Sequence, residues 1–107
     1  MAPQETKTRL PANLCICVIN TEGKIVGSWT GDLHDSDKGE LELLRQFGGA
    51  QAVKFQPFIA EHPYSAQRAY PELFFPWTRT PEEEREEIKQ RNSRIASLED
   101  RLHTKEH

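Results

Sequence analysis

Apolar residues run almost unbroken through residues 13–20, NLCICVIN, with Leu14, Ile16 and Val18 on one face and Cys15, Cys17 and Ile19 on the other. A strand apolar on both faces must be covered on both sides, so this segment is expected at the centre of a sheet. Thr21-Glu22-Gly23 comes next, with glycine where a tight turn needs positive φ, and residues 24–30 supply the returning strand of a hairpin. Ile25, Gly27 and Trp29 are expected to share a face of that strand, with Gly27 leaving room for a close neighbour or a bulge. In residues 50–59, Val53 and Phe55 alternate with Lys54 and Gln56, the pattern of a half-buried strand. Pro57 places that strand at an edge or ends its pairing.

Two segments change period from two to about 3.6. Residues 38–47 carry Leu41, Leu44 and Phe47 on one stripe with Leu43 beside it, a short helix. Asp37 and Glu40 are spaced as an acidic variant of the capping box, and Gly48-Gly49 is expected to stop the helix with one left-handed residue. The second helix is long. Thr80 suits its N-cap, Pro81 its first position and Glu83 the return arm of a capping box. Five glutamates crowd its first turns and basic residues dominate the remainder, which complements the helix dipole. Between these helices, residues 60–79 hold Pro63, Pro71 and Pro76 among many aromatics. Residues 65–70 fit one or two helical turns, and residues 73–77 fit either a short strand or an irregular apolar strap.

The long helix has a narrow seam. Ile88, Ile95 and Leu102 recur every seven residues, Leu98 takes an intervening d position and Arg91 the earlier one. A helix lying on a globular core usually shows three or four apolar residues per two turns. One apolar residue per turn with charged flanks suits pairing with another helix. The expectation is self-association through Ile88, Arg91, Ile95, Leu98 and Leu102, a dimer favoured, in which Arg94 faces Glu99 of a second copy. Packing along the chain's own body and docking on a different protein are the alternatives.

Composition sharpens the division. Residues 78–107 contain only five apolar side chains, whereas residues 1–77 are as apolar as an ordinary small domain. The expected organisation is a polar N-terminal arm at 1–12, an α+β body at 13–79 and the long helix at 80–105. Its sheet is small and antiparallel, of about three or four strands. No run reaches the roughly 18 apolar residues of a membrane span. The 14 basic and 17 acidic residues leave a net charge of −3 without a basic stripe, which argues against nucleic acid as a partner. Two reduced cysteines and no apolar leader predict a cytoplasmic protein.

Candidate chemistry is sparse. Cys15 and Cys17 lie two apart on a strand, too far at the backbone for an unstrained disulfide, and read as buried thiols. The loop Asp32-Leu33-His34-Asp35-Ser36-Asp37 gathers carboxylates near a histidine but lacks the glycine and final glutamate of a calcium-binding EF-hand loop. It is expected to be a solvated loop, with no catalytic residue, metal site or cofactor assigned. Residues 64–77 concentrate five of the nine aromatics. Tyr, Trp and Arg are the residue types enriched at interface hot spots, and proline holds such a segment in shape. Tyr64, Arg68, Tyr70, Phe74, Phe75, Trp77 and Arg79 are therefore the expected contacts to a larger protein partner. The competing assignment is that Phe74, Phe75 and Trp77 simply close the core.

These features point to a small intracellular, non-catalytic interaction protein, an adaptor or inhibitor. Phage-encoded inhibitors share this motif-poor profile. The alternatives are an oligomeric binder of a nucleotide-like molecule and a small hydrolase or transferase using His34 or His62 with a carboxylate.

Overall fold

The computed structural model describes residues 13–49 and 52–105. The arm expected at 1–12 lies outside them, as do residues 50 and 51 at the start of the third expected strand. Strands β1 (Asn13–Asn20), β2 (Ile25–Asp32) and β3 (Val53–Phe58) form one antiparallel sheet in the order β2-β1-β3. Helix α1 (Ser36–Phe47) comes after a 3-10 turn, Leu33–Asp35. Helix α2 (Pro63–Ala69) and a second 3-10 turn, Pro71–Phe74, follow β3, and α3 (Pro81–Lys105) is the last described element. The fold class is α+β.

β1 is central and both its faces are buried. Leu14, Ile16 and Val18 pack with Leu43, Val53, Trp29, Phe47 and Phe55 under α1. Cys15, Cys17 and Ile19 pack on the other face with Phe58, Ala66 and Phe74, the last two delivered by α2 and the turn after it. The hairpin turn closes with Gly23 at φ 85°, and Asn20 Oδ1 accepts from the backbone N–H groups of Glu22 and Lys24 at 3.0 and 2.9 Å. Gly23 also lies against the Phe74 carbonyl, so a side chain there would collide as well as strain the backbone.

β2 departs from simple alternation. Val18 pairs with Gly27 but Ile19 pairs with Ile25, leaving Val26 as the extra residue of a bulge. That extra residue reverses the phase, so Ile25 packs with the cysteine cluster while Gly27 and Trp29 face α1. Gly27 admits the Phe47 ring, and the Trp29 indole lies against both Gly31 and Gly39. Gly39 thus sits inside a helix because a side chain there would occupy the space of the indole.

The caps of α1 differ from expectation. Asp37 lies inside the first turn and pairs with Arg101 at 3.0 Å, while Asp32 accepts from the His34 N–H at 2.8 Å and caps the preceding 3-10 turn. At the C-terminus, Gly48 keeps right-handed dihedrals, φ −78° and ψ −18°. Its carbonyl is instead met by Arg91, at 2.9 Å. A guanidinium supplies what a left-handed glycine was expected to supply, and its charge suits the negative end of the helix.

The N-terminus of α3 forms the expected capping box. The Glu83 N–H donates to Thr80 Oγ1 at 3.1 Å, and the Thr80 N–H donates to Glu83 Oε1 at 2.9 Å. The seam of α3 meets a helix, and that helix is α1 of the same chain. Leu98 is fully buried against Leu41 and Leu44, with Ile95, Leu102 and Phe55 packed around them. Arg94 forks onto both Glu40 oxygens at 2.8 Å each, Arg45 bonds Glu99 at 2.6 Å, and Arg101 bonds Asp37. Within the chain, Arg94 and Glu99 each take a partner on α1.

Candidate functional site

The aromatic segment is built from the end of β3 onward. His62 Nδ1 accepts from the Tyr64 N–H at 3.1 Å and Pro63 occupies the first helical turn, so α2 starts where the sequence supplies a cap and a preset φ. Ala66 presses this short helix onto the sheet, and Phe58 anchors the residues after it. The Phe58 ring stacks on Tyr70 at 5.6 Å and on Phe74 at 5.7 Å between centroids. Tyr64 stacks on His62 at 4.9 Å.

This scaffold divides the expected contact residues into two sets. Tyr64 (66% exposed), Tyr70 (48%) and Phe75 (61%) stand out into solvent, as does Arg68 at the last turn of α2. Phe74 is buried in the core. Ile59, absent from the expected set, is 71% exposed, the most of any large apolar residue among those described. Ile59 and Tyr70 flank a shallow groove of about 230 Å³ whose other walls are Gln56, Pro57, Phe58 and Leu73. The only trace of Ile59 in the sequence is that it comes directly after Phe58, which breaks the alternation of β3.

Trp77 and Arg79 belong to a clamp on the fold. The Trp77 backbone N–H donates to the Thr21 carbonyl at 3.0 Å, tying the strap to the hairpin. Its ring has Arg79 Cζ 4.6 Å and Lys54 Nζ 5.5 Å from the centroid. Arg79 Nη1 donates to the Val53 carbonyl at 3.0 Å and to Glu84 Oε1 at 2.9 Å. The same Val53 carbonyl accepts from Arg91 Nη2 at 2.6 Å. Arg91 is 3% exposed and packs over the Phe55 ring, with Nε 3.5 Å from Glu87. Burial draws its pKa below the usual guanidinium range and Glu87 partly offsets that. Arg79, just before α3, and Arg91, within it, thus hold one carbonyl between them. A stacking ligand on Trp77 would have to displace cations already in place.

Of the α3 seam, Arg91 and Leu98 are buried within the chain, and Ile88, Ile95 and Leu102 are half-buried. Cys15 and Cys17 are buried with sulfurs 3.9 Å apart. Burial, then the neighbouring Cys15, pushes the Cys17 thiol up to about 12, so at neutral pH it is a thiol and not a thiolate nucleophile. His34 and Asp35 are placed in the turn before α1, and no group of three or more metal-ligating side chains gathers among the described residues. Among the described residues no helix is long and apolar enough to cross a membrane. No protein family, curated protein or solved structure matched the chain.

What the exposed aromatic segment can do chemically is limited and specific. It offers ring faces, one aliphatic side chain and two phenol hydroxyls on a braced backbone, the features that fill pockets of another protein.

Proposed function

We propose that this chain is a small, non-catalytic interaction protein that binds a larger protein partner through Ile59, Tyr64, Tyr70 and Phe75, and that it also self-associates. The observation that carries the reading is the contrast along one stretch. Phe58 and Phe74 are buried and hold the segment, while the residues beside them are turned outward. Large aromatics left exposed on a braced scaffold lose little conformational entropy on binding, which is how a short segment gains affinity. Arg68 adds a cation beside the aromatics, and Trp77 and Arg79 act indirectly by fixing the strap that carries Phe75.

Affinity capture from the cell of origin tests this reading, comparing the wild type with an Ile59→Ser/Phe75→Ser double variant. Both side chains are exposed, so the variant should keep its melting temperature and lose a protein that the wild type retains. Equal capture by both proteins would reject the aromatic face as the docking site.

A further inference from the structure

Helix α2 carries the exposed Tyr64 and Arg68 but buries only one side chain, Ala66, along its seven residues. A helix this short is not held by its own backbone bonds, so it depends on that one contact and on its caps. His62 accounts for every N–H at its start. Pro63 has none to satisfy. The Ser65 and Ala66 N–H groups donate to the His62 carbonyl at 3.1 and 3.3 Å, and the Tyr64 N–H donates to His62 Nδ1 at 3.1 Å. Tyr64 is thus the residue whose N–H relies on a side chain, and the first turn contains no acidic residue to replace the ring.

His62 differs from the common cap residues in one respect. Serine, threonine and asparagine accept through an oxygen whose state does not change near neutral pH, whereas imidazole changes charge between about pH 5 and 8. A neutral ring accepts at one nitrogen; an imidazolium donates from both. Protonated His62 sets a donor against the Tyr64 N–H and a positive charge at the positive end of the helix. The ring also stacks on Tyr64, with centroids 4.9 Å apart. A cation is still attracted to a phenol face, so the stacking does not oppose protonation, and the bond to the backbone is what is lost. His62 is exposed, so protons reach it in the folded chain. Glu61 precedes it and Arg68 lies in the last turn of α2, but among the described residues no charged group is paired with the ring, and Tyr64 is the titratable side chain packed on it.

We infer that His62 is a pH-sensitive latch on α2. With the ring neutral, Nδ1 caps the helix and fixes Tyr64. Protonation opens the first turn and frees Tyr64 from its place in the aromatic face. Its consequence for docking, weaker binding in acid, rests on the proposed function; the latch itself is a property of the free chain.

Nuclear magnetic resonance on the full free chain tests it, following the His62 ring and the Tyr64 amide from about pH 8 to pH 5. The Tyr64 amide should shift with the same midpoint as the ring, and its protection, corrected for intrinsic exchange, should fall about fivefold, the change in equilibrium that losing an N-cap brings. His62→Asn keeps an acceptor that does not titrate and should leave the Tyr64 amide unchanged across the range. A wild-type Tyr64 amide that stays in place while the ring titrates overturns the latch, as does one that still shifts in His62→Asn. Because no partner is present, neither result depends on the docking reading, which the Ile59→Ser/Phe75→Ser comparison tests separately.

Discussion

Truncating Arg91 should cost more than removing any other polar side chain among the described residues. Arg91 is 3% exposed, and its guanidinium donates to the Gly48 carbonyl at 2.9 Å and the Val53 carbonyl at 2.6 Å. Hydrogen bonds from a charged group contribute about 1.5–3 kcal/mol each. The Val53 carbonyl keeps Arg79 at 3.0 Å, so its loss is partial, whereas the Gly48 carbonyl sits past the last turn of α1 where helices leave acceptors unfilled. Arg91→Ala should therefore lose about 3–5 kcal/mol, the range for removing one partner of a buried charged contact. Against a total stability of about 5–15 kcal/mol that lowers Tm by roughly 10 °C or more. Arg91→Met separates packing from bonding, because it restores the stem over Phe55 without the donors and should recover less than half of the loss. Urea unfolding followed by circular dichroism reads both. A loss below about 1 kcal/mol for Arg91→Ala would refute the claim that this guanidinium joins α1, β3 and α3.

Leu98→Ala should lose about 2–5 kcal/mol, since Leu98 is fully buried between α3 and α1; an unchanged urea midpoint would mean that the α1–α3 contact is not part of the folded chain. Gly39→Ala should destabilise by about 1–3 kcal/mol and alter the near-ultraviolet tryptophan signal, although alanine is the better helix former by about 1 kcal/mol, because its methyl group meets Trp29. A rise in stability would contradict the close approach of the indole. The Cys17 thiol is raised from 9.0 to about 12, so above pH 9 the unfolded chain loses a proton that the folded chain keeps. Its contribution is complete below pH 9 and is lost as the pH climbs towards 12, by about 1.4 kcal/mol per unit. Urea curves at successive alkaline pH values should fall less steeply for Cys17→Ala, and parallel slopes would count against the buried thiol. Thr80→Ala should cost about 1 kcal/mol through the capping box, seen as a lower urea midpoint; no change would show that the box is not holding the helix end.

The parts of this fold that could be read directly are those in which one local rule acts alone. The two-faced β1, the Gly23 turn and the Thr80-Pro81-Glu83 cap each depend on residues within a few positions. Where two distant residues compete for one role, the local rule fails. Asp37 looks like a cap until Arg101, 64 residues away, pairs with it. Gly48 looks like a left-handed stop until Arg91 arrives at its carbonyl. The α3 seam correctly indicates a helix partner, but its width does not say whose helix. Arg91 counts as a weak layer in a heptad and becomes the most buried charged residue among those described, because its stem packs as a hydrophobe while its head finds two carbonyls. In the aromatic segment, composition marks the region but not the orientation of each ring. Phe74 and Phe75 are neighbours, one buried and one exposed, and only the stacking on Phe58 separates them.

The central claim is that the outward aromatics of the segment after β3 meet a protein partner. Hydrogen–deuterium exchange on the captured complex tests it most directly. Amides between Ile59 and Phe75 should slow on binding while those on the outer face of α3 do not change. Slowing confined to α3, with the aromatic segment exchanging as in the free chain, would contradict it.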